Sequence, residues 1–210
     1  MRTSLLISML LAGVTASAVA PADGQPKPET PIRVLVQTEL GDIVLEVDPS
    51  RAPTTAANFL RYVDAGHYNG GTWHRTVTLD NQPQSDVKIE VIQAGVNPDV
   101  AKSGFPPIAI ERTNTTGILH KDGVVSMARG APDSATSGWF ICINDQPSLD
   151  FGGTRNPDGQ GFAAFGRVVQ GMDLVRKIQK APSSSDRSNN AEAQRLTPPI
   201  KIVKVARLAR

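Results

Sequence analysis

Cysteine is nearly absent from this chain. Cys142 is the only one in 210 residues, so no internal disulfide can form and stability has to come from a hydrophobic core. Cys142 itself lies in the apolar run Trp139-Phe140-Ile141-Cys142-Ile143. It reads as a small buried hydrophobe, because a reactive thiol needs basic neighbours and exposure. Histidine is scarce too. His67, His74 and His120 fall in no HExxH or other zinc spacing, so neither a metal nor a cofactor is implied. There is no GxSxG elbow and no GxxxxGK[ST] loop, and the acidic residues are scattered rather than paired. Charge of one sign is missing as well. The net charge is +2 and no like-charge run exists, which leaves no footprint for nucleic acid. The one apolar run near the start, Leu5 to Val14, is too short for a comfortable membrane span.

What is present divides into three parts. Arg2, the apolar run and the small residues Ala16-Ser17-Ala18 have the pattern of a secretory signal peptide over 1–18. That pattern predicts export to a periplasm or the medium, with no membrane attachment after cleavage. Residues 19–31 hold Pro21, Pro26, Pro28 and Pro31 among polar residues and read as a linker. From Ile32 to Leu208 the composition suits one domain, and 40% hydrophobic residues suffice for one core.

Within that domain, Ile32-Val34-Val36 and Ile43-Leu45-Val47 alternate around Leu40-Gly41-Asp42, which predicts a hairpin with one buried face. Pro53 then opens a helix whose Ala56, Phe59, Leu60 and Val63 share a face, and Gly66 ends it. Strand patterns follow at 72–76, 88–93, 124–128, 139–143 and 163–168. A helix is predicted at 172–179, and a last strand at 200–206 after Pro198-Pro199. Eight strand-like runs separated by loops, with only two helices, predict a mainly β chain closed into an antiparallel barrel and capped by those helices. Residues 78–87 and 152–161 read as polar loops, either tolerated at the surface or rimming a groove, and 182–196 as a flexible link.

The most specific string is Gly123 to Ile143, GVVSMARGAPDSATSGWFICI. Two β-like runs flank a loop rich in Gly130, Pro132, Asp133, Ser134 and Gly138, residues that set or permit turn dihedrals. This stretch resembles the central signature of the cyclophilin-type peptidyl-prolyl isomerases. The resemblance covers about Ile32 to Leu208. It implies an eight-stranded cyclophilin-like barrel, and an enzyme that accelerates rotation about X-Pro bonds with no cofactor and no metal.

Residue by residue, Tyr68-Asn69-Gly70-Gly71-Thr72-Trp73-His74-Arg75 resembles the family's Y-x-G-x-x-F-H-R, so the catalytic arginine of the family falls on Arg75. The physics suits an arginine. Twisting an amide out of resonance faces a barrier of roughly 18–20 kcal/mol, and the twisted prolyl nitrogen regains a lone pair. A fixed guanidinium can donate to that nitrogen mainly in the transition state. Glu90-Val91-Ile92-Gln93-Ala94-Gly95 resembles F-M-x-Q-G-G, which makes Gln93 the partner that orients Arg75 and gives Val91 to the proline pocket. Phe140 and Leu149 complete that pocket by resemblance, with Phe162 at its rim, while Ala128 and Arg129 offer backbone groups to an extended peptide. The chain departs from its relatives at several positions: Trp73 and Glu90 replace Phe, Val91 replaces Met, Ala94 replaces Gly, Phe162 replaces His or Tyr, and Gly138 replaces a peptide-holding Gln. The expected partners are proline-containing segments of unfolded or folded proteins, met by a monomer. The departures at Glu90, Gly138 and Phe162 also admit a proline-peptide binding module or chaperone with little turnover. A hydrolase would need a nucleophile beside a base near His74 or His120.

Overall fold

The computed structural model describes residues 30–209. The expected signal peptide, and residues 19–29 of the expected linker, lie outside the described residues. Eight strands form one closed barrel: β1 (Ile32–Thr38), β2 (Gly41–Val47), β3 (Thr72–Val77), β4 (Val91–Gly95), β5 (Val124–Met127), β6 (Trp139–Cys142), β7 (Ala163–Gln170) and β8 (Arg195–Arg207). Their order around the barrel is β1-β2-β7-β5-β6-β4-β3-β8, and every pairing is antiparallel. Closure leaves no strand edge open to another chain.

Helix α1 (Pro53–Asp64) follows the first hairpin. Pro53 occupies its first turn, where a missing N–H is harmless. No side chain of the preceding loop caps it. The Glu111 carboxylate does so from a distance, accepting from the backbone N–H groups of Thr54 and Thr55 at 3.0 and 2.7 Å. Helix α2 (Thr113–Thr116) is a single turn, α3 (Met172–Gln179) follows β7, and α4 (Asn190–Ala193) precedes β8. The expected pair of capping helices is therefore α1 and α3, with two one-turn helices besides.

Period-2 alternation sorts the side chains into two apolar groups. Trp139 and Ile141 of β6, Ile92 and Ala94 of β4, and Trp73 of β3 point into the main core with Phe59, Tyr68 and Phe165. Their neighbours Phe140, Cys142 and Val91 face the other way; Val77, beyond the register shift between Trp73 and Arg75, joins them with Ile89 and Leu149 in a second, smaller cluster on the outer wall. Cys142 is fully buried there, and burial pushes its thiol pKa well up, so it is the inert hydrophobe the sequence suggested.

Three expectations are corrected. The strand predicted at 88–93 is Val91–Gly95. The Gln82 side chain occupies the backbone of Ile89, accepting from its N–H at 3.2 Å and donating to its carbonyl at 2.9 Å, so the ladder starts later. The last strand begins at Arg195 rather than after Pro198-Pro199. The pairing of β8 to β3 jumps from Arg195 to Ile200, so both prolines sit in a bulge where no ladder N–H is needed. The supposed flexible link 182–196 is built into the fold: Ser183 bridges Leu196, and Ala193 and Gln194 are fully buried.

Candidate active site

One register row crosses four strands of the outer wall. Arg75 of β3 pairs with Gln93 of β4, Gln93 with Phe140 of β6, and Phe140 with Ser126 of β5. Directly paired residues in a sheet share a face, so the row sets a guanidinium, an amide and an aromatic ring side by side. A cavity of about 240 Å³ opens over it, lined by Arg75, Ile89, Val91, Gln93, Ala128, Arg129, Phe140, Leu149, Arg155, Asn156 and Phe162. A larger depression of about 400 Å³, between Glu46, Asp48, Gly117 and Arg167, contains none of the expected site residues.

Arg75 is clamped. Its Nη1 donates to Gln93 Oε1 at 2.6 Å, while Nε and Nη2 both donate to Gln194 Oε1 at 2.8 and 2.6 Å. Gln194 is held in turn by donating to the Asn81 carbonyl at 3.1 Å. Burial, then the nearby Arg155, pulls the pKa of Arg75 down to about 10. It therefore stays charged at neutral pH while meeting only neutral partners, leaving its positive field uncancelled.

The apolar part of the pocket is the outer-wall cluster. Phe140 and Phe162 meet edge to face at 5.4 Å, with Val91 and Leu149 in the same cluster. Phe140 is also stacked on the buried His120 ring, with centroids 6.1 Å apart and planes 13° apart. Beneath the pocket, His120 Nδ1 lies 2.7 Å from Asp150 Oδ1 and Nε2 lies 3.0 Å from Ser126 Oγ. Burial raises the Asp150 carboxyl, but the hydrogen bonds from the His120 ring and backbone outweigh it and bring its pKa below the usual value.

The sequence Ser-His-Asp in space has the order of a hydrolytic triad. Here, however, Ser126 is 0% exposed and His120 1% exposed, and neither lines the cavity. No substrate carbonyl can reach that hydroxyl. The chain is a brace under Phe140 and Leu149, and the hydrolase reading fails on access.

Of the residues expected at the site, Arg75, Gln93, Val91, Ala128, Arg129, Phe140, Leu149 and Phe162 converge on the one cavity. Gly138 is not in its lining. A Cβ there would lie 3.5 Å from Ala128 Cβ and 3.9 Å from Gln93 Nε2, so the position sits just beyond the amide. The Ala128 N–H donates to the Gly138 carbonyl at 2.9 Å, so any backbone group Ala128 offers to a peptide is another one. The Arg129 side chain is committed as well, to the Gly161 carbonyl at 2.7 Å and, in a fork, to both Asp158 oxygens at 2.8 and 2.9 Å.

Sequence reasoning missed Gln194, Arg155, Asn156, and the His120–Asp150–Ser126 chain. One signal was available for the first. Asn189 followed three residues later by Glu192 is a helix-start pattern, and Asn189 does cap α4 through the Glu192 N–H at 3.0 Å. A helix there would have placed Gln194 inside the fold. Of the two polar loops, 152–161 lines the cavity through Arg155 and Asn156, while 78–87 packs beside it without lining it. Asn81 and Gln82 are buried, and Arg155 ties the loops together through Gln82 Oε1 at 3.0 Å and the Val87 carbonyl.

A closed eight-stranded barrel whose outer wall carries a clamped arginine beside an aromatic pocket agrees with the comparisons to known proteins. The family described as cyclophilin type peptidyl-prolyl cis-trans isomerase/CLD matches residues 33–207. The peptidyl-prolyl cis-trans isomerase cyp18 of Streptomyces antibioticus is 38% identical over 158 residues, covering 74% of this chain and 88% of its own. A peptidyl-prolyl cis-trans isomerase of Acinetobacter baylyi is 32% identical over 201 residues, covering 95% and 93%. Among solved structures, a cyclophilin type peptidyl-prolyl cis-trans isomerase of Cryptosporidium parvum superposes with a TM-score of 0.65 at 19% identity, covering 86% of this chain and 99% of that one. The chain belongs to the cyclophilin-type peptidyl-prolyl cis-trans isomerases and is an enzyme of that type.

Proposed function

We propose that this isomerase serves the folding of exported proteins, and that Arg75 supplies its catalysis. The single observation that carries the mechanistic part is the Arg75 clamp. Three of its nitrogens are fixed by two glutamine oxygens, at the edge of a pocket the size of a proline ring and its neighbours.

In this mechanism the proline ring enters the Val91–Phe140–Leu149 pocket with Phe162 at its mouth. The chain on one side of the X-Pro bond is then held while the other turns. As resonance breaks, the prolyl nitrogen becomes an acceptor, and the positioned guanidinium stabilises it. The guanidinium has little to offer the planar ground state, so the interaction lowers the barrier rather than deepening the bound state. Preorganisation by Gln93 and Gln194 means that no reorientation is needed at the moment of rotation. No bond forms or breaks and no proton moves.

Export rests on the amino-terminal pattern of 1–18. Outside the cytosol, slow X-Pro isomerisation, tens to hundreds of seconds unassisted, limits folding in the same way. The clients would be newly exported chains met by a monomer. A weaker-binding variant of the same role is favoured by Gly138, where no side chain reaches over Gln93.

The test is exchange NMR on a short Ala-Pro peptide together with localisation of the full chain. Wild type should accelerate interconversion, and Arg75→Ala should lose about 10²–10³ of kcat/KM, the size seen when one electrostatic donor is removed. An Arg75→Ala variant as fast as wild type would sink the assignment of Arg75. Retention of the uncleaved chain in the cytosol would sink the exported role.

A further inference from the structure

Three arginines stand around the pocket, and only one is neutralised. Arg129 is paired with Asp158. Arg75 meets the amide oxygens of Gln93 and Gln194, and Arg155 meets the amide oxygen of Gln82 and the backbone carbonyl of Val87. Among the described residues neither Arg75 nor Arg155 forms an ion pair. The acids of adjoining segments are engaged elsewhere: Asp150 with His120, and Glu90 with Asn144 and Gln179. Asp86, next to Val87, is exposed and pairs with neither arginine. The two guanidiniums feel each other, since Arg155 adds to burial in pulling the Arg75 pKa down.

A second observation points the same way. Asn156, beside Arg155 and lining the same cavity, has a buried Nδ2 with no acceptor. A buried amide N–H₂ without a partner is costly and is relieved by an oxygen from a ligand. Two uncompensated cations and an unfilled donor describe a place for a carboxylate, which accepts in a planar fork from guanidinium and amide alike.

We propose that the groove selects proline segments bearing a carboxylate side chain next to the proline, with Arg155 and Asn156 as the residues that recognise it. The proposal rests on the reading that this pocket receives the proline. It names the substrate class: Glu-Pro, Asp-Pro or Pro-Glu segments over their amide and lysine counterparts. Both residues come from the 152–161 loop, so the selectivity belongs to the loop and the chemistry to the barrel wall.

The experiment measures binding and turnover in parallel at low salt. Peptides of one length carry Glu, Gln or Lys immediately before proline, and in a second set immediately after it. Binding is read by fluorescence anisotropy and interconversion by exchange NMR. At one or both positions Glu should bind about tenfold tighter than Gln, with Lys weakest. Rising salt should shrink the Glu-to-Gln ratio. In Arg155→Gln the ratio should fall to near one, Arg155→Lys should keep part of it, and Asn156→Ala should reduce it. Because Arg155 also ties two loops, the salt dependence of the ratio in wild type provides a reading that no variant is needed for. Glu binding no tighter than Gln at both positions, or a ratio indifferent to salt and to Arg155, overturns the proposal. A preserved Glu preference without any acceleration leaves it standing and overturns the catalytic reading instead.

Discussion

Arg75 and Gln93 face each other across the β3–β4 ladder, and their side chains close the distance to 2.6 Å. The backbone register alone therefore sets the geometry of the clamp from one side. Gln194, at the C-terminal end of α4 immediately before β8 and 119 residues away, sets it from the other. A guanidinium fixed at both edges cannot swing away from the pocket without breaking three hydrogen bonds, so its orientation is a property of the barrel rather than of a loop.

Removing Gln194 should then impair turnover more than binding. Gln194→Ala frees Nε and Nη2 of Arg75, and kcat/KM is expected to fall by roughly tenfold or more through kcat, with KM little changed. The same substitution in an Arg75→Ala background should have no further effect, because the two residues act as a unit. Exchange NMR on the four proteins of the cycle checks this, and additive losses would show that Gln194 acts independently of Arg75.

Gly138 offers room for a side chain. Its φ lies outside the left-handed region, and the nearest atoms to a built Cβ are at 3.5 Å or beyond. Gly138→Gln is expected to fold with a melting temperature at or slightly above wild type, since removing a glycine lowers the entropy of the unfolded chain by about 0.4–1 kcal/mol equivalent. The new amide would stand beside Gln93 and hold an extended peptide, lowering KM. Titration of an Ala-Pro peptide against both proteins measures the change.

The brace beneath the pocket predicts a joint loss of stability and activity. His120→Ala removes the stack under Phe140, leaves the buried Ser126 hydroxyl without its partner and takes one hydrogen bond from the partly exposed Asp150 carboxylate. Urea unfolding should report a loss of about 2–4 kcal/mol. Ser126→Ala, which removes one end of the chain, should lose nearer 1 kcal/mol. Turnover should fall in His120→Ala even where the protein is fully folded, because Phe140 loses its backing.

Acid should open the loop at Asp158. The Arg129 fork brings the Asp158 pKa from 3.8 to about 2. A carboxylate whose pKa is depressed by folding contributes stability that is complete above its unfolded value and disappears as pH falls through the folded one. Wild type should therefore be more stable than Asp158→Asn at pH 5, with the gap closing between about pH 4 and about pH 2. Thermal melts of both proteins across that range provide the measurement. A gap that persists undiminished at pH 2 would mean the pair contributes through something other than charge.

Much of this molecule is readable from local pattern. The hairpin, α1 and α3 follow from periodicity and turn residues, and Met172–Gln179 is the helix its spacing predicts. Eight of the nine expected site residues line one cavity; Val91, Gln93 and Phe140 do so through strand alternation, Arg75 through the register shift after Trp73, and Ala128, Arg129, Leu149 and Phe162 from segments outside the strands. Gln194 could have been reached through the helix start at Asn189, but Arg155 and Asn156 were not legible. Both sit in a loop with no repeating pattern; Arg155 acts through contacts 68 and 73 residues away, and the Asn156 amide has no partner in the chain to announce it. The beginning of β4 escaped in another way: the Gln82 amide supplants a strand partner at Ile89, and no count of apolar residues reveals a side chain that imitates backbone.

The outward facing of the second apolar cluster has a topological meaning. Substrate is never enclosed, because the barrel interior is filled by Trp73, Trp139 and Phe59 while Phe140 looks out from the wall. A protein chain of any length can lie across the surface and leave from either end without being threaded. On the proposed reading of this pocket, proline-bearing loops of already compact proteins would reach it as readily as unfolded chains, with the 152–161 loop at its rim.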